Sequence, residues 1–320
     1  MKRFIILGIF VIASIFSFLY YKEGTLPVNS HDKSVKLFVV KRGEGTSSIV
    51  KHLYSEQLIR DRVVFYTIVK RLGIESKLEA GMFRLSPSMS TEEIALALTK
   101  GTTDIWITVI EGLRREEIAE LIAQNFSIPE SEFIKQSQEG YLFPDTYLIP
   151  KDATLEQVLS IFTRNFNQKY NEDLKRIAQQ KGLTDQEVIT LASLVEKEAR
   201  HDQDRVAVAS IILKRYKNDW PLDIDATIQY ALGYQPAQKT WWKKNLTKDD
   251  ISVNSLYNSY KHPGLPPTPI CNPGLASIQA VLNADVNTPY WFYISSKDGS
   301  TMHYAKTVEE HNENIRKYLQ

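Results

Sequence analysis

The chain has 320 residues, 43% of them hydrophobic and 24% charged, with a net charge of +1. That length suits two packed domains, the composition excludes disorder, and the balanced charge offers no polybasic surface for nucleic acid or acidic lipid. A single cysteine, Cys271, excludes an internal disulfide, and six histidines with no His-x-x-x-His pair or Cys/His cluster give no metal-ligand pattern. No metal or other cofactor is expected.

Lys2 and Arg3 precede an uncharged run, FIILGIFVIASIFSFLYY, from Phe4 to Tyr21. As a helix it extends roughly 27 Å, close to a hydrocarbon core. The basic start and the Tyr20–Tyr21 pair fit a membrane anchor over residues 1–22, with a cytoplasmic N-terminus. A cleaved signal peptide would need a shorter apolar region and small residues at its end, which Tyr20, Tyr21 and Lys22 do not supply. On either reading the rest of the chain is expected outside the cytoplasm. Residues 23–36 are polar and aperiodic, and read as a linker of about a dozen residues reaching roughly 40 Å if extended.

KLFVVKRGEG reads as a strand and turn, TSSIVKHLYSEQLI and RDRVVFYTIVKRLG as two amphipathic helices, and KLEAGMFRLSPSM as a return strand. Ser90 and Glu93 then form a capping box for a helix that Gly101 stops. Residues 37–102 are therefore expected to form a small α+β module. The Gly43–Gly45 pair lacks the further residues of a phosphate loop. From residue 103 a larger mixed α+β domain is expected, running to 320. DIWITVI reads as a strand and EGLRREEIAELIAQNF as a helix, and helical patterns dominate from Thr154 to Asn218. PYWFYISS and TMHYAKT flank a Lys297–Ser300 turn containing Asp-Gly, a hairpin signal, and Thr307 with Glu310 caps a last helix.

Thr184 and Glu187 cap the helix that carries LASLVEKEAR, residues 191–200. Projected at 100° per residue, Val188, Leu191, Ala192, Val195 and Ala199 form an apolar stripe, with Lys197 opposite it and facing water. Glu196 falls beside Ala192 and Ile189, and Glu198 beside Leu191 and Leu194. The two carboxylates are roughly 160° apart around the axis and do not share one site. Periodicity does not choose between them, and both also read as ordinary boundary charges. Ser193 and Lys197 are a weaker Ser–Lys dyad, since nothing on the polar face desolvates the lysine. EGYLFPDTY (139–147) and the proline-rich YNSYKHPGLPPTPICNPG (257–274) read as rigid functional loops. The five tryptophans lie from Trp106 onward, which suits sugar faces. KTWWKKN hints at single-stranded nucleic acid, but an extracytoplasmic chain makes that partner unexpected.

EGLRREEIAE, EGYLFPDTY, LASLVEKEA, LDIDATIQYAL, YNSY with GLPPTPICNPG, and HYAKTVEEHN occur in this order. Together they resemble the MltG/YceG-like endolytic murein transglycosylases, from about Leu37 to Gln320. The resemblance implies a LysM-like first module and a YceG-like catalytic domain. It implies cleavage of the bond between N-acetylmuramic acid and N-acetylglucosamine in nascent peptidoglycan, leaving 1,6-anhydro ends and ending glycan polymerisation. It places the catalytic acid at Glu196, with Glu198 in support. Glu139, Tyr141, Asp145, Asp225, Gln229, Asn258, Tyr260 and His303 are implied as substrate-binding candidates. Membrane-bound peptidoglycan synthases are implied partners, and the cytoplasmic membrane, with the catalytic domain outside, is the implied location. The chain departs from the family at Ala226, commonly proline, and at Thr268, commonly glycine. A single acid suffices if the substrate's own C6 hydroxyl is the nucleophile, and Ala192 with Ile189 is expected to desolvate it. A water-adding muramidase would need a second carboxylate, Asp225 or Glu139. A glycan-binding scaffold without catalysis is the third reading.

Overall fold

The computed structural model describes residues 2–100 and 104–319, without the side chains of residues 2–7 and 9. It is a mixed α+β structure of helices and two-stranded sheets, as the sequence predicts. The chain divides into two units: residues up to Trp106 with Leu148–Lys151, and Ile107–Tyr147 with Asp152–Gln320. The expected boundary at 102/103 falls outside the described residues.

In the first unit, helix α1 (Lys2–Thr25) leads to strand β1 (Lys36–Val40), helices α2 (Thr46–Ser55) and α3 (Arg62–Leu72), strand β2 (Gly81–Leu85) and helix α4 (Thr91–Ala97). This is the predicted strand, helix pair and return strand. The strands are antiparallel, Lys36 opposite Leu85 and Val40 opposite Gly81. Phe38, Leu53, Phe65, Ile68, Leu85 and Ile94 fill the core beneath them. Asp61 accepts from the N–H groups of Val63 and Val64, and Ser90 with Glu93 closes the predicted capping box, so both helix starts are fixed by side chains.

Three expectations change at the N-terminus. Among the described residues no helix is long and apolar enough to cross a membrane, so the predicted spanning segment is not met, and the side chains at the start of its run lie outside the described residues. Nor does the helix end at residue 22. It continues to Thr25 because its last turns are tied to the unit: the Tyr20 hydroxyl donates to Asp61 at 2.5 Å, Arg60 pairs with Glu23, and Thr91 donates to the Gly24 carbonyl at 2.8 Å. The segment predicted as a free linker is also held, with Asn29 N–H donating to the Pro87 carbonyl and Ser86 Oγ to that of Asp32.

Strand β3 (Ile105–Thr108) opens the next region, followed by helices α5 (Arg115–Asn125) and α6 (Glu130–Gln136) and by β4 (Thr146–Ile149), which pairs with β3. Then come α7 (Leu155–Lys169), α8 (Glu172–Gln180), α9 (Asp185–Glu198), α10 (Asp202–Lys217), α11 (Asp225–Leu232), the single turn α12 (Lys248–Ile251) and α13 (Leu275–Asn283). The predicted hairpin forms as β5 (Phe292–Ser295) and β6 (Met302–Ala305), Phe292 opposite Ala305, before the final helix α14 (Val308–Tyr318).

The second unit is built around α9. Its residues Val188–Val195 are all buried, against Val208, Ala209 and Ile212 of α10 and Ile278, Val281 and Leu282 of α13. A helix that is apolar all round is a central helix rather than a surface one. That overturns the polar face assigned to Ser193 and Lys197. Ser193 is fully buried; its hydroxyl donates to Thr190 O at 2.7 Å and accepts from Ile270 N at 3.0 Å. The proline-rich loop is thereby hydrogen-bonded directly to the central helix.

Candidate active site

The last turn of α9 sends three consecutive residues in three directions, as 100° per residue requires. Glu196 points to the start of α13, where its Oε2 accepts from Gly274 N at 2.9 Å and Ser277 Oγ at 2.8 Å, while Oε1 meets Arg205 Nη2 at 3.2 Å. The Glu196 and Arg205 side chains are only 6% and 10% exposed. The apolar wall expected from Ala192 and Ile189 is thus replaced by three donors. They fix the carboxylate at a helix N-terminus, where negative charge is stabilised. Glu111 approaches the same guanidinium nitrogen of Arg205 at 3.7 Å, so the two acids share it. The Glu111 carboxyl is so close over Gly274 that a Cβ there would meet Oε1 at 1.8 Å, so a side chain at this position would displace that carboxyl. Burial and the neighbouring Glu196 raise the Glu111 pKa, and Arg205 partly offsets this.

Lys197 turns inward instead of to water. Its ammonium lies 3.5 Å from the centroid of Trp242, whose indole N–H donates to Glu117 at 3.1 Å. Burial lowers its pKa, against the pull of nearby acids. A cation on an aromatic face, with its stem buried, braces the KTWWKKN segment. Beside it the Arg114 guanidinium lies over Tyr230 at 4.1 Å and Trp241 at 4.7 Å.

Glu198 points to a different neighbourhood. Its Oε2 accepts from the Tyr293 hydroxyl at 3.0 Å. Burial pushes its pKa up to about 7; the Tyr293 bond and Arg215 pull it down, and Asp225 pushes it up. Asp225 opens α11 and accepts from Tyr260 Oη at 2.7 Å. Both Asp225 and Tyr260 are exposed, so this group opens to solvent on one side while Glu198 is sheltered on the other. Tyr260 is aimed by its neighbours in the loop. Asn258, fully buried, donates to the carbonyls of Ile251 and Val253 and accepts from Tyr260 N–H, and Ser259 bonds Thr227 and Ile224 N.

The remaining candidates divide by location. Gln229, one turn after Asp225, donates to the Lys243 carbonyl at 2.6 Å and shapes the adjoining loop. Glu139 is 3% exposed and accepts from Arg115 N–H, Asn272 and Tyr230. Burial raises it to about 7 against the Arg115 N–H, and it knits three segments together away from solvent. Tyr141 packs on Phe166 at 4.9 Å, toward the opposite end of α9. Asp145 accepts from Thr146 N–H and Asn165; burial alone would raise it, but these donors and Lys169 hold it low. His303 stacks on Tyr318 at 3.4 Å between ring centroids. Neither Asp145 nor His303 is bonded to the Glu198 group. Of the residues singled out in the sequence, Glu198, Asp225 and Tyr260 are the ones brought together around a sheltered acid.

The comparisons with known proteins agree with this arrangement of motifs. The model of the YceG-like family matches residues 38–317. The chain belongs to the YceG-like family. It is 30% identical to the endolytic murein transglycosylase of Bacillus subtilis, over 95% of this chain and 90% of that protein. It is 27% identical to the endolytic murein transglycosylase of Streptococcus pneumoniae, over 95% of this chain but 62% of that longer protein. The crystal structure of a yceG-like protein from Listeria monocytogenes superposes with a TM-score of 0.58 at 26% identity, over 88% of this chain and 99% of that one.

In this YceG-like chain the sequence reading missed Tyr293, Arg215, Arg205, Glu111 and Asn272. Arg215 is nearly buried and donates to the carbonyls of Trp291 and Leu222 at 2.8 Å, which carries β5 and Tyr293 up to Glu198. The Asp/Arg-rich first turn of α10 was the available signal for Arg205; Tyr293 gave none beyond its place in a strand. Asn272, fully buried, ties Leu142 N, Leu113 O and Glu139. Asn272→Ala leaves buried groups unsatisfied and is expected to cost about 2–3 kcal/mol. Thermal or denaturant unfolding measures this.

Proposed function

We propose that the chain is a peptidoglycan lytic transglycosylase whose general acid is Glu198 rather than Glu196. One observation carries the choice. Glu198 has one oxygen held by the Tyr293 hydroxyl and lies beside Asp225 and Tyr260, which open to solvent, and burial raises its pKa to about 7. Glu196 is already filled by Arg205, Gly274 and Ser277. A catalytic acid near neutrality has both a proton to give and enough basicity to take one back. The family membership and the names of the relatives support the substrate.

In this reading the protonated Glu198 donates to the oxygen linking N-acetylmuramic acid to N-acetylglucosamine, and the C1–O bond breaks. The resulting carboxylate then accepts the proton of the muramoyl C6 hydroxyl as O6 bonds to C1, giving a 1,6-anhydro end and the starting acid. No water is consumed. The intramolecular nucleophile lowers the entropic cost of ring closure. Asp225, its side chain fixed by the Tyr260 hydroxyl, favours positive charge developing at C1. Tyr293 occupies one oxygen of Glu198 and leaves the other for the proton in flight.

Mass spectrometry of products from uncrosslinked glycan tests the reaction, because anhydro ends are lighter than hydrolysed ends by one water. Hydrolysed ends would instead support a muramidase with Asp225 as its second carboxylate, and binding without release a scaffold. The acid form is the active one, so turnover is expected to be lost as pH rises through about 7. The Tyr293 bond lowers the Glu198 pKa, so Tyr293→Phe moves that loss to higher pH. A pH–rate profile of both proteins checks the sign.

Internal cleavage of nascent strands would end glycan polymerisation next to membrane-bound synthases. Exposed Phe10, Ile12, Phe16 and Leu19 on α1 support a place for this helix at the cytoplasmic membrane, with the catalytic unit outside. Protease accessibility in spheroplasts tests that topology.

A further inference from the structure

We propose that the second unit carries an accessory glycan pocket, separate from the Glu198 group, that seats one N-acetylated sugar ring of the strand. It rests on the substrate read above. The pocket holds about 310 Å³ between the end of α6, α7, α8 and the start of α9, near the lower end of the range that takes a small ligand. Tyr141, Phe166 and Tyr170 give it an aromatic wall, with ring centroids 4.9 and 5.9 Å apart in succession. Gln138, Ser137 and Asn167 add amides and a hydroxyl.

The charges at this site are already engaged. Lys175 holds Glu172 at 2.8 Å, and Asp185 accepts the Tyr170 hydroxyl at 2.9 Å. What remains is neutral, polar and aromatic, which matches a sugar ring better than a charged peptide stem or an acyl chain. The Ser137 carbonyl accepts from Arg115 Nη1 at 3.4 Å, so the backbone along this edge of the pocket is anchored. Nothing in the proposed chemistry uses these residues.

Helix α9 joins the two places. Asp185 at its first residue lines the pocket and Glu198 is its last, about 20 Å apart along the axis. A strand long enough to span that distance is held at both ends, whereas a short fragment engages one.

Tri-N-acetylchitotriose titrated into the full chain, followed by calorimetry and by the tyrosine resonances, tests the proposal. The wild type is expected to bind with a shift at Tyr141. Tyr141→Ala is expected to weaken binding about tenfold, the loss of one aromatic contact. Gln138→Ala, an exposed position that keeps the fold, is expected to weaken it about threefold, and KM for long glycan should rise in step. Binding by both folded variants equal to wild type, or no binding by the wild type, overturns the pocket. Sugar binding at Tyr141 in a protein that cleaves no glycan upholds the pocket while the proposed chemistry fails. Cleavage with unchanged binding and KM in both variants does the reverse.

Discussion

Glu198→Gln is expected to abolish glycan cleavage, with a loss of at least about 10³-fold in kcat. A positioned proton donor contributes on the order of 10²–10⁴-fold, and here one group gives a proton and then takes one. The amide keeps the shape of the side chain and can still accept the Tyr293 hydroxyl, so the fold should be retained. In the native protein burial holds the Glu198 carboxyl near 7, above its value in an unfolded chain. Its contribution to stability is therefore present at low pH and lost as pH rises from about 4.5 toward about 7. Replacing it with glutamine removes that part of the slope. Glu139, also raised to about 7 by burial, contributes a slope of the same sign that persists in the Glu198 variant. A folded Glu198→Gln protein that still releases anhydro fragments would return the acid role to Glu196.

The second large effect is structural and belongs to the neighbouring acid. Glu196→Ala strips Arg205 of its buried partner and leaves Gly274 N–H and the Ser277 hydroxyl without their acceptor. Breaking a buried ion pair costs on the order of 3–5 kcal/mol, and Glu111 at 3.7 Å and Asp202 beside Arg205 can absorb part of it. A net loss of about 3 kcal/mol is expected, lowering Tm by about 6–12 °C for a unit of this size. Calorimetry reads it directly. Below the unfolding range the variant should still cleave glycan, and a stable but inactive Glu196→Ala protein would contradict the division of labour between the two glutamates.

The contrast between these glutamates shows where the sequence was legible. The start of α9 was readable from Thr184 and Glu187, whose reciprocal hydrogen bonds form as a capping box predicts. The closing hairpin was readable from Asp298-Gly299 between two apolar runs, and Gly299 adopts φ +72° in the turn. Both are local effects within a few residues. The faces of α9 were not readable, because projection onto one apolar stripe assumes a surface helix. The unbroken uncharged run VITLASLV was the sign that this helix is enclosed on every side. Ser277 and Tyr293, which meet Glu196 and Glu198, lie 81 and 95 positions away, and no window along α9 contains them. Tyr293 reaches its place only because Arg215 is pinned to Trp291 and Leu222. The motif order identified the family, while the role of each carboxylate needed the packed structure.

The close approach at Gly140 adds a constraint of the same long-range kind. Its φ is +88°, and a Cβ there would lie 2.5 Å from the Pro269 ring, so the 139–147 segment and the proline-rich loop are in register only if neither side chain grows.

The fan of three side chains at the end of α9 also bears on how this protein tolerates change in chain length. Deleting Glu196 would rotate everything after it by about 100°. An ammonium group or a methyl would then occupy the socket now filled by the acid, and the salt-bridged receptacle at α13 would face the wrong partner. Substitutions in this turn can be graded, but a frame slip there would disarm the proton donor and unfasten a core helix in a single event.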